Sequence, residues 1–119
     1  MARAEVIIYH NPRCSKSRQT LELLQQADVD LKVVEYLQEP PGVEELEHIL
    51  GLLKLEPREL MRRGEPEYRE LGLDDPALSR EHLLAAMAAH PRLIERPIVV
   101  RGTRATLGRP PQRVLEILP

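Results

Sequence analysis

The sequence predicts a single α/β domain over residues 1–119, a mixed sheet flanked by helices with a helical block between a βαβ part and a ββα part. Three observations carry this. A β-branched run, Val6-Ile7-Ile8, is followed at once by a turn and an amphipathic stretch. The middle of the chain repeats apolar residues at helical spacing between proline and glycine breaks. Near the end, two short strand-like runs surround Gly102 as a hairpin would.

Taken in order, Glu5 to Tyr9 reads as a strand whose continuous apolarity suggests burial on both faces, ended by His10-Asn11-Pro12. From Ser15 onward, Leu21, Leu24 and Ala27 recur at helical spacing, and this helix is expected to end near Asp28. A second strand follows over Lys32 to Tyr36, which completes a βαβ unit expected to be parallel and right-handed. Pro40-Pro41-Gly42 breaks the chain. Val43, Leu46, Leu50 and Leu53 then mark a helix, Pro57 opens another through Arg63, and a third runs from about Arg80 to Ala89. Gly64-Glu65-Pro66 and Asp74-Asp75-Pro76 read as loops between them. Ile98 to Val100 and Thr103 to Leu107 form the hairpin strands, and Pro110 and Pro111 start a closing helix through Leu118. This is the thioredoxin-like plan. Pro97, immediately before a strand, fits the cis-proline that this fold places beside its active-site loop.

The chain of 119 residues has neither tryptophan nor phenylalanine, so its core must be built from Leu, Ile, Val, Ala and Met. With 42% hydrophobic and 30% charged residues it falls in the folded rather than the disordered range. A net charge of −2 gives no general attraction to a phosphate backbone, so nucleic acid is not an expected partner. No apolar run approaches the roughly 20 residues that span a bilayer, and the amino terminus lacks a signal-peptide pattern. No membrane association is expected, and the expected location is cytoplasmic.

Chemistry concentrates in His10-Asn11-Pro12-Arg13-Cys14-Ser15-Lys16-Ser17-Arg18. Cys14 is the only cysteine, so no disulfide forms within the chain, and it falls between a buried strand and the first turn of a helix. There the unpaired N–H groups and the helix dipole favour a thiolate or a bound oxyanion. Lys16 and Arg18 occupy a first turn that normally favours acidic residues, and no carboxylate appears before Glu22. His10 has two readings, a partner that aids thiolate formation or a structural cap on the strand end. Ser15 and Ser17 either cap the helix or donate to an anion. Arg18, four residues after Cys14, either projects toward it or is solvated. Rival chemistries fail on spacing: the residue six after Cys14 is Thr20 rather than the arginine of a tyrosine-phosphatase loop, and Ser17 stands where a Cys-x-x-Cys motif needs its second thiol. His10, His48, His82 and His90 show no zinc-ligand spacing, and no metal is expected.

The chain resembles the glutaredoxin-dependent arsenate reductases along nearly its whole length. The matching residues are Tyr9-His10-Asn11-Pro12-x-Cys14 with Ser17-Arg18, Tyr36-Leu37 before Pro40-Pro41, and Leu60-Met61-Arg62 with Glu67-Tyr68 and Leu71-Gly72-Leu73. His90-Pro91, Leu93-Ile94-x-Arg96-Pro97-Ile98-Val99-Val100, Arg109-Pro110 and Leu115-x-Ile117-Leu118-Pro119 complete them. The resemblance implies Cys14 as nucleophile, His10, Ser17 and Arg18 as thiolate-stabilising or loop residues, and Arg62, Arg96 and Arg109 as oxyanion-binding residues. It further implies arsenate as substrate, glutathione as co-substrate, glutaredoxin as partner and no bound cofactor. One thiol supplies half of a disulfide, so an outside thiol is required. The sequence departs from the commonest family loop at Ser15, where glycine directly follows the cysteine, and it also has Gly108 where some members have cysteine. Two other readings of the same resemblance are a glutathione-linked thiol reductase acting on another substrate and a non-catalytic regulator that binds RNA polymerase.

Overall fold

The computed structural model describes residues 3–119. The chain divides into two compact units, one formed by the residues up to Glu39 with Arg96–Pro119, the other by Pro40–Glu95.

The first unit holds the sheet. Strand β1 (Glu5–His10) leads through the cysteine loop into helix α1 (Ser15–Gln26) and strand β2 (Asp30–Glu35). Strands β3 (Ile98–Arg101) and β4 (Arg104–Leu107) form the later hairpin. The order is β2-β1-β3-β4, with β1 and β2 parallel and the other two pairs antiparallel. This is the mixed thioredoxin-like sheet expected from the sequence. Gly102 takes a φ of 56° at the hairpin tip, a conformation that a residue without Cβ adopts readily. Helix α1 packs against the closing 3-10 helix Pro111–Ile117, and Val6, Ile8, Leu24, Val29, Val99, Val114 and Ile117 form the core beneath them. Tyr9 and Ile98, which point to the other side of the sheet, are also buried, as the continuous apolarity of β1 requires.

Strands β1, β3 and β4 differ from the sequence reading by one residue at one end, and three further features of this unit differ from it. Helix α1 stops at Gln26, where the Ala27 N–H turns back to the Leu24 carbonyl. Strand β2 begins and ends earlier than expected, because its ladder with β1 starts at Asp30 and the Glu35 carbonyl accepts the N–H groups of Gln38 and Glu39 in a turn. Tyr36 therefore lies just past the strand. The closing helix is 3-10 throughout rather than α-helical.

The second unit is the predicted helical insertion. Helices α2 (Val43–Leu53) and α4 (Arg80–Ala89) pack together through the buried faces that carry Leu46, Ile49, Leu50, Leu83, Leu84 and Met87. The expected Pro57–Arg63 helix is only a 3-10 turn, Pro57–Leu60, because the chain extends at Met61 to pair with Ile94. Pro66, read as part of a loop, instead opens the short helix α3 (Pro66–Glu70), where its missing N–H costs nothing at the first position.

Candidate active site

Cys14 is the N-cap residue of α1 and is half-buried. Its N–H donates to the Asn11 carbonyl at 3.0 Å, and its own carbonyl accepts the Arg18 N–H at 2.9 Å, so the loop and the first helical turn fix the residue from both sides. No side-chain hydrogen bond of full capping geometry closes the helix here, and the first turn holds no acidic residue. The sulfur occupies the place of a capping oxygen. Burial by itself raises the thiol pKa, but the Ser17 N–H, the Arg96 guanidinium and the Lys16 N–H, all directed at the sulfur, outweigh it and leave the value lowered.

The source of that stabilisation differs from the one expected of the flanking charges. The Lys16 and Arg18 side chains are exposed. Arg18 Nη1 donates to the Pro12 carbonyl at 2.9 Å and so braces the loop. It is the backbone N–H of Lys16 that serves the sulfur. The cationic partner, Arg96, comes from the segment before β3, and its own pKa is raised because hydrogen bonds and charge from Cys14 and Tyr36 outweigh the cost of its burial.

Ser17 is fully buried and caps nothing. Its Oγ accepts the Asn11 N–H at 3.0 Å and lies 2.6 Å from His10 Nδ1. Burial lowers the His10 pKa, Glu35 works against this and Arg18 adds to it, so the imidazole is held toward its neutral form. In the neutral tautomer whose Nδ1 carries no hydrogen, His10 accepts a hydrogen bond from the Ser17 hydroxyl while Ser17 Oγ accepts from the Asn11 N–H, which satisfies the buried hydroxyl in both directions. His10 thereby orients the loop through Ser17. The Asn11 side chain finishes the turn by accepting the Arg13 N–H at 3.0 Å.

A second set of bonds fixes Arg96. The Arg96–Pro97 and Arg109–Pro110 peptides are both cis. Gly108 N–H donates to the Pro97 carbonyl at 3.0 Å, and Arg109 Nη1 donates to the Arg96 carbonyl at 2.9 Å. Gly108 permits this close approach: a Cβ there would meet Thr20 Oγ1 and lie 2.8 Å from Pro97 Cγ. Thr20 is itself held by donating to the Lys16 carbonyl at 2.8 Å.

Residues 9–117 match the model of the ArsC family. This chain belongs to the ArsC family. Over 115 residues it is 51% identical to the uncharacterized protein YfgD of Escherichia coli (strain K12), covering 96% of this chain and 97% of that one. It is 46% identical over 115 residues to an arsenate reductase of Neisseria meningitidis, covering 96% and 98%. Among solved structures, an arsenate reductase from Vibrio cholerae superposes with a TM-score of 0.94 at 53% identity, covering 98% of this chain and 99% of that one.

Of the residues that the ArsC resemblance singles out, Cys14 and Arg96 meet directly, Arg109 joins them through the Arg96 carbonyl, and His10, Ser17 and Arg18 shape the loop. Arg62 belongs to the second unit. There its Nε pairs with Glu65 at 3.2 Å and its Nη1 with Glu95 at 3.1 Å. Sequence reasoning assigned no part to Tyr36, Thr20 or Asn11. Tyr36 carried one signal, its place in the matched Tyr36-Leu37 pair. Among the described residues no group of three or more His, Cys, Asp or Glu side chains gathers as a metal site, and no helix is long and apolar enough to cross a membrane.

Proposed function

We propose that this protein is a cytoplasmic arsenate reductase that uses the Cys14 thiolate, with glutathione as co-substrate and glutaredoxin as the resolving partner. The observation that carries the reading is the convergence of the Ser17 and Lys16 N–H groups and the Arg96 guanidinium on one free sulfur. Several relatives that span nearly the same length are named arsenate reductases, which supports arsenate as the oxyanion.

In the first step the thiolate attacks arsenic, an S–As bond forms, and an arsenate oxygen leaves as water after taking up protons. Arg96, with Arg62 and Arg109 assigned by the resemblance, stabilises the charged adduct. A glutathione thiolate then attacks Cys14 Sγ. The S–S bond forms as the S–As bond breaks, the bonding pair stays on arsenic, and As(V) becomes As(III). Glutaredoxin reduces the resulting mixed disulfide by thiol exchange and returns Cys14 to its thiolate. No metal or nucleotide enters these steps.

The test is arsenate-dependent thiol consumption with glutathione and glutaredoxin supplied and omitted in turn. Turnover is expected only with both, because a one-thiol enzyme cannot complete a disulfide internally. Sustained turnover with either omitted would refute the scheme. Ser15 favours a second reading, a thiol reductase of the same mechanism acting on another substrate, because it alters the loop beside the sulfur. Oxyanion binding without arsenite formation, across several glutaredoxins, would select that reading.

A further inference from the structure

A groove of about 150 Å³ lies beside the Cys14 loop, within the first unit. Pro12 and Arg13 line it from the loop, Glu35 and Leu37 from the end of β2 and the turn after it, and the buried His10 from the end of β1. The fold dictates this meeting. Strands β1 and β2 run parallel with His10 opposite Glu35, so the chain leaves both strands at the same edge, once into the cysteine loop and once into the turn closed on the Glu35 carbonyl. Opposed residues of neighbouring strands share a face of the sheet, and the Glu35 carboxylate accordingly acts on the His10 imidazole.

The lining carries one exposed charge of each sign. Neither the Arg13 nor the Glu35 side chain is taken up by a hydrogen bond or an ion pair with another of the described residues. Leu37, 37% exposed, adds an apolar surface between water and the turn. A guanidinium, a carboxylate and an aliphatic surface together complement the carboxylate, ammonium and methylene groups of an amino-acid zwitterion. The volume is well below the roughly 300–1,000 Å³ of pockets that enclose a whole drug-sized ligand, so it suits one residue-sized end of a longer molecule.

We propose that this groove binds the γ-glutamyl end of glutathione, with Glu35 holding the α-ammonium group and Arg13 the α-carboxylate. The inference rests on glutathione as the thiol that attacks Cys14 Sγ. Its reach is sufficient. The bond from the Cys14 N–H to the Asn11 carbonyl closes a turn whose end α-carbons lie within about 7 Å, and Asn11 also lines the groove. A three-residue molecule spans about 10 Å when extended. The groove thereby positions the co-substrate, while Cys14 and Arg96 perform the chemistry.

The test uses Cys14 converted to its mixed disulfide with thionitrobenzoate, attacked in turn by glutathione, γ-glutamylcysteine and cysteinylglycine. Each thiolate attacks Cys14 Sγ, the new S–S bond forms as the old one breaks, and the bonding pair leaves on thionitrobenzoate, the thiol of lower pKa. Rates are divided by those of the same thiols on the thionitrobenzoate disulfide of free cysteine, and circular dichroism establishes folding of each variant. Glutathione and γ-glutamylcysteine are expected to exceed cysteinylglycine, which lacks the γ-glutamyl end, by at least about fivefold. Arg13→Gln and Glu35→Gln should each lower that ratio at least about twofold, and the double variant should bring it close to unity. Glu35→Gln separates recognition from general charge steering, because removing a negative group would by charge alone favour the more anionic thiols and raise the ratio. A wild-type ratio near unity, or a folded Glu35→Gln whose ratio is unchanged or raised, would overturn the proposal. Arsenate takes no part in this assay, so that failure leaves the arsenate scheme standing, and failure of arsenate reduction leaves this readout intact.

Discussion

Cys14→Ser abolishes arsenate turnover while leaving the fold intact. The fold is spared because the residue contributes its backbone to the loop through the Asn11 carbonyl and the Arg18 N–H, and serine is itself a favoured N-cap residue. The chemistry is lost because a hydroxyl at this site neither ionises near neutral pH nor forms the mixed disulfide on which reduction depends. Circular dichroism reports the fold and product analysis reports arsenite. A folded variant that still makes arsenite at a substantial fraction of the wild-type rate would show that another group is the nucleophile.

Arg96→Ala lowers arsenate turnover by at least about tenfold and moves the Cys14 alkylation midpoint upward. Arg96 is the side-chain cation on the sulfur, and losing such a charge-assisted contact costs about 1.5–3 kcal/mol, which corresponds to a tenfold or larger loss in rate. The sign with pH follows from the lowered thiol pKa. In the wild type the sulfur is ionised below the ordinary thiol value of about 8.5, so the variant's deficit is largest near neutral pH. The ionisation part of the deficit shrinks as pH rises past that value, where the thiol ionises without help. The backbone N–H groups of Ser17 and Lys16 remain, so the midpoint rises without necessarily reaching that of a free thiol. An unchanged midpoint would remove Arg96 from the stabilisation of the thiolate.

The sheet was legible because its signals are local. Val6-Ile7-Ile8 before a proline turn and the runs around Gly102 have the right composition wherever they sit, and the observed strands fall on them. The limits of β2 were not local, because its register is set by pairing with β1 rather than by its own residues. Pro66 was misread for a different reason: proline breaks a helix interior but opens a first turn, and the sequence alone did not separate the two.

At the candidate site, the position of Cys14 between β1 and α1 was readable, and so was the cationic character of the loop. What was not readable was which groups reach the sulfur. Cations in a first helical turn draw attention by their charge, yet the Lys16 side chain is exposed, that of Arg18 is engaged with the Pro12 carbonyl, and the N–H groups that matter have no residue-type signature. The Cys14–Arg96 approach spans most of the chain, so no spacing rule predicts it, and only the family resemblance singled out Arg96. The Glu95–Arg62 pair, 33 residues apart, escaped for the same reason.

The most direct test of the mechanism is a single turnover with arsenate and glutathione in the absence of glutaredoxin, followed by mass analysis of the protein and of the arsenic. One glutathione is expected on Cys14 for each arsenite released, with none attached when arsenate is left out. Arsenite released without a glutathione on Cys14, or glutathione attached equally without arsenate, would contradict a Cys14 thiolate as the agent of reduction.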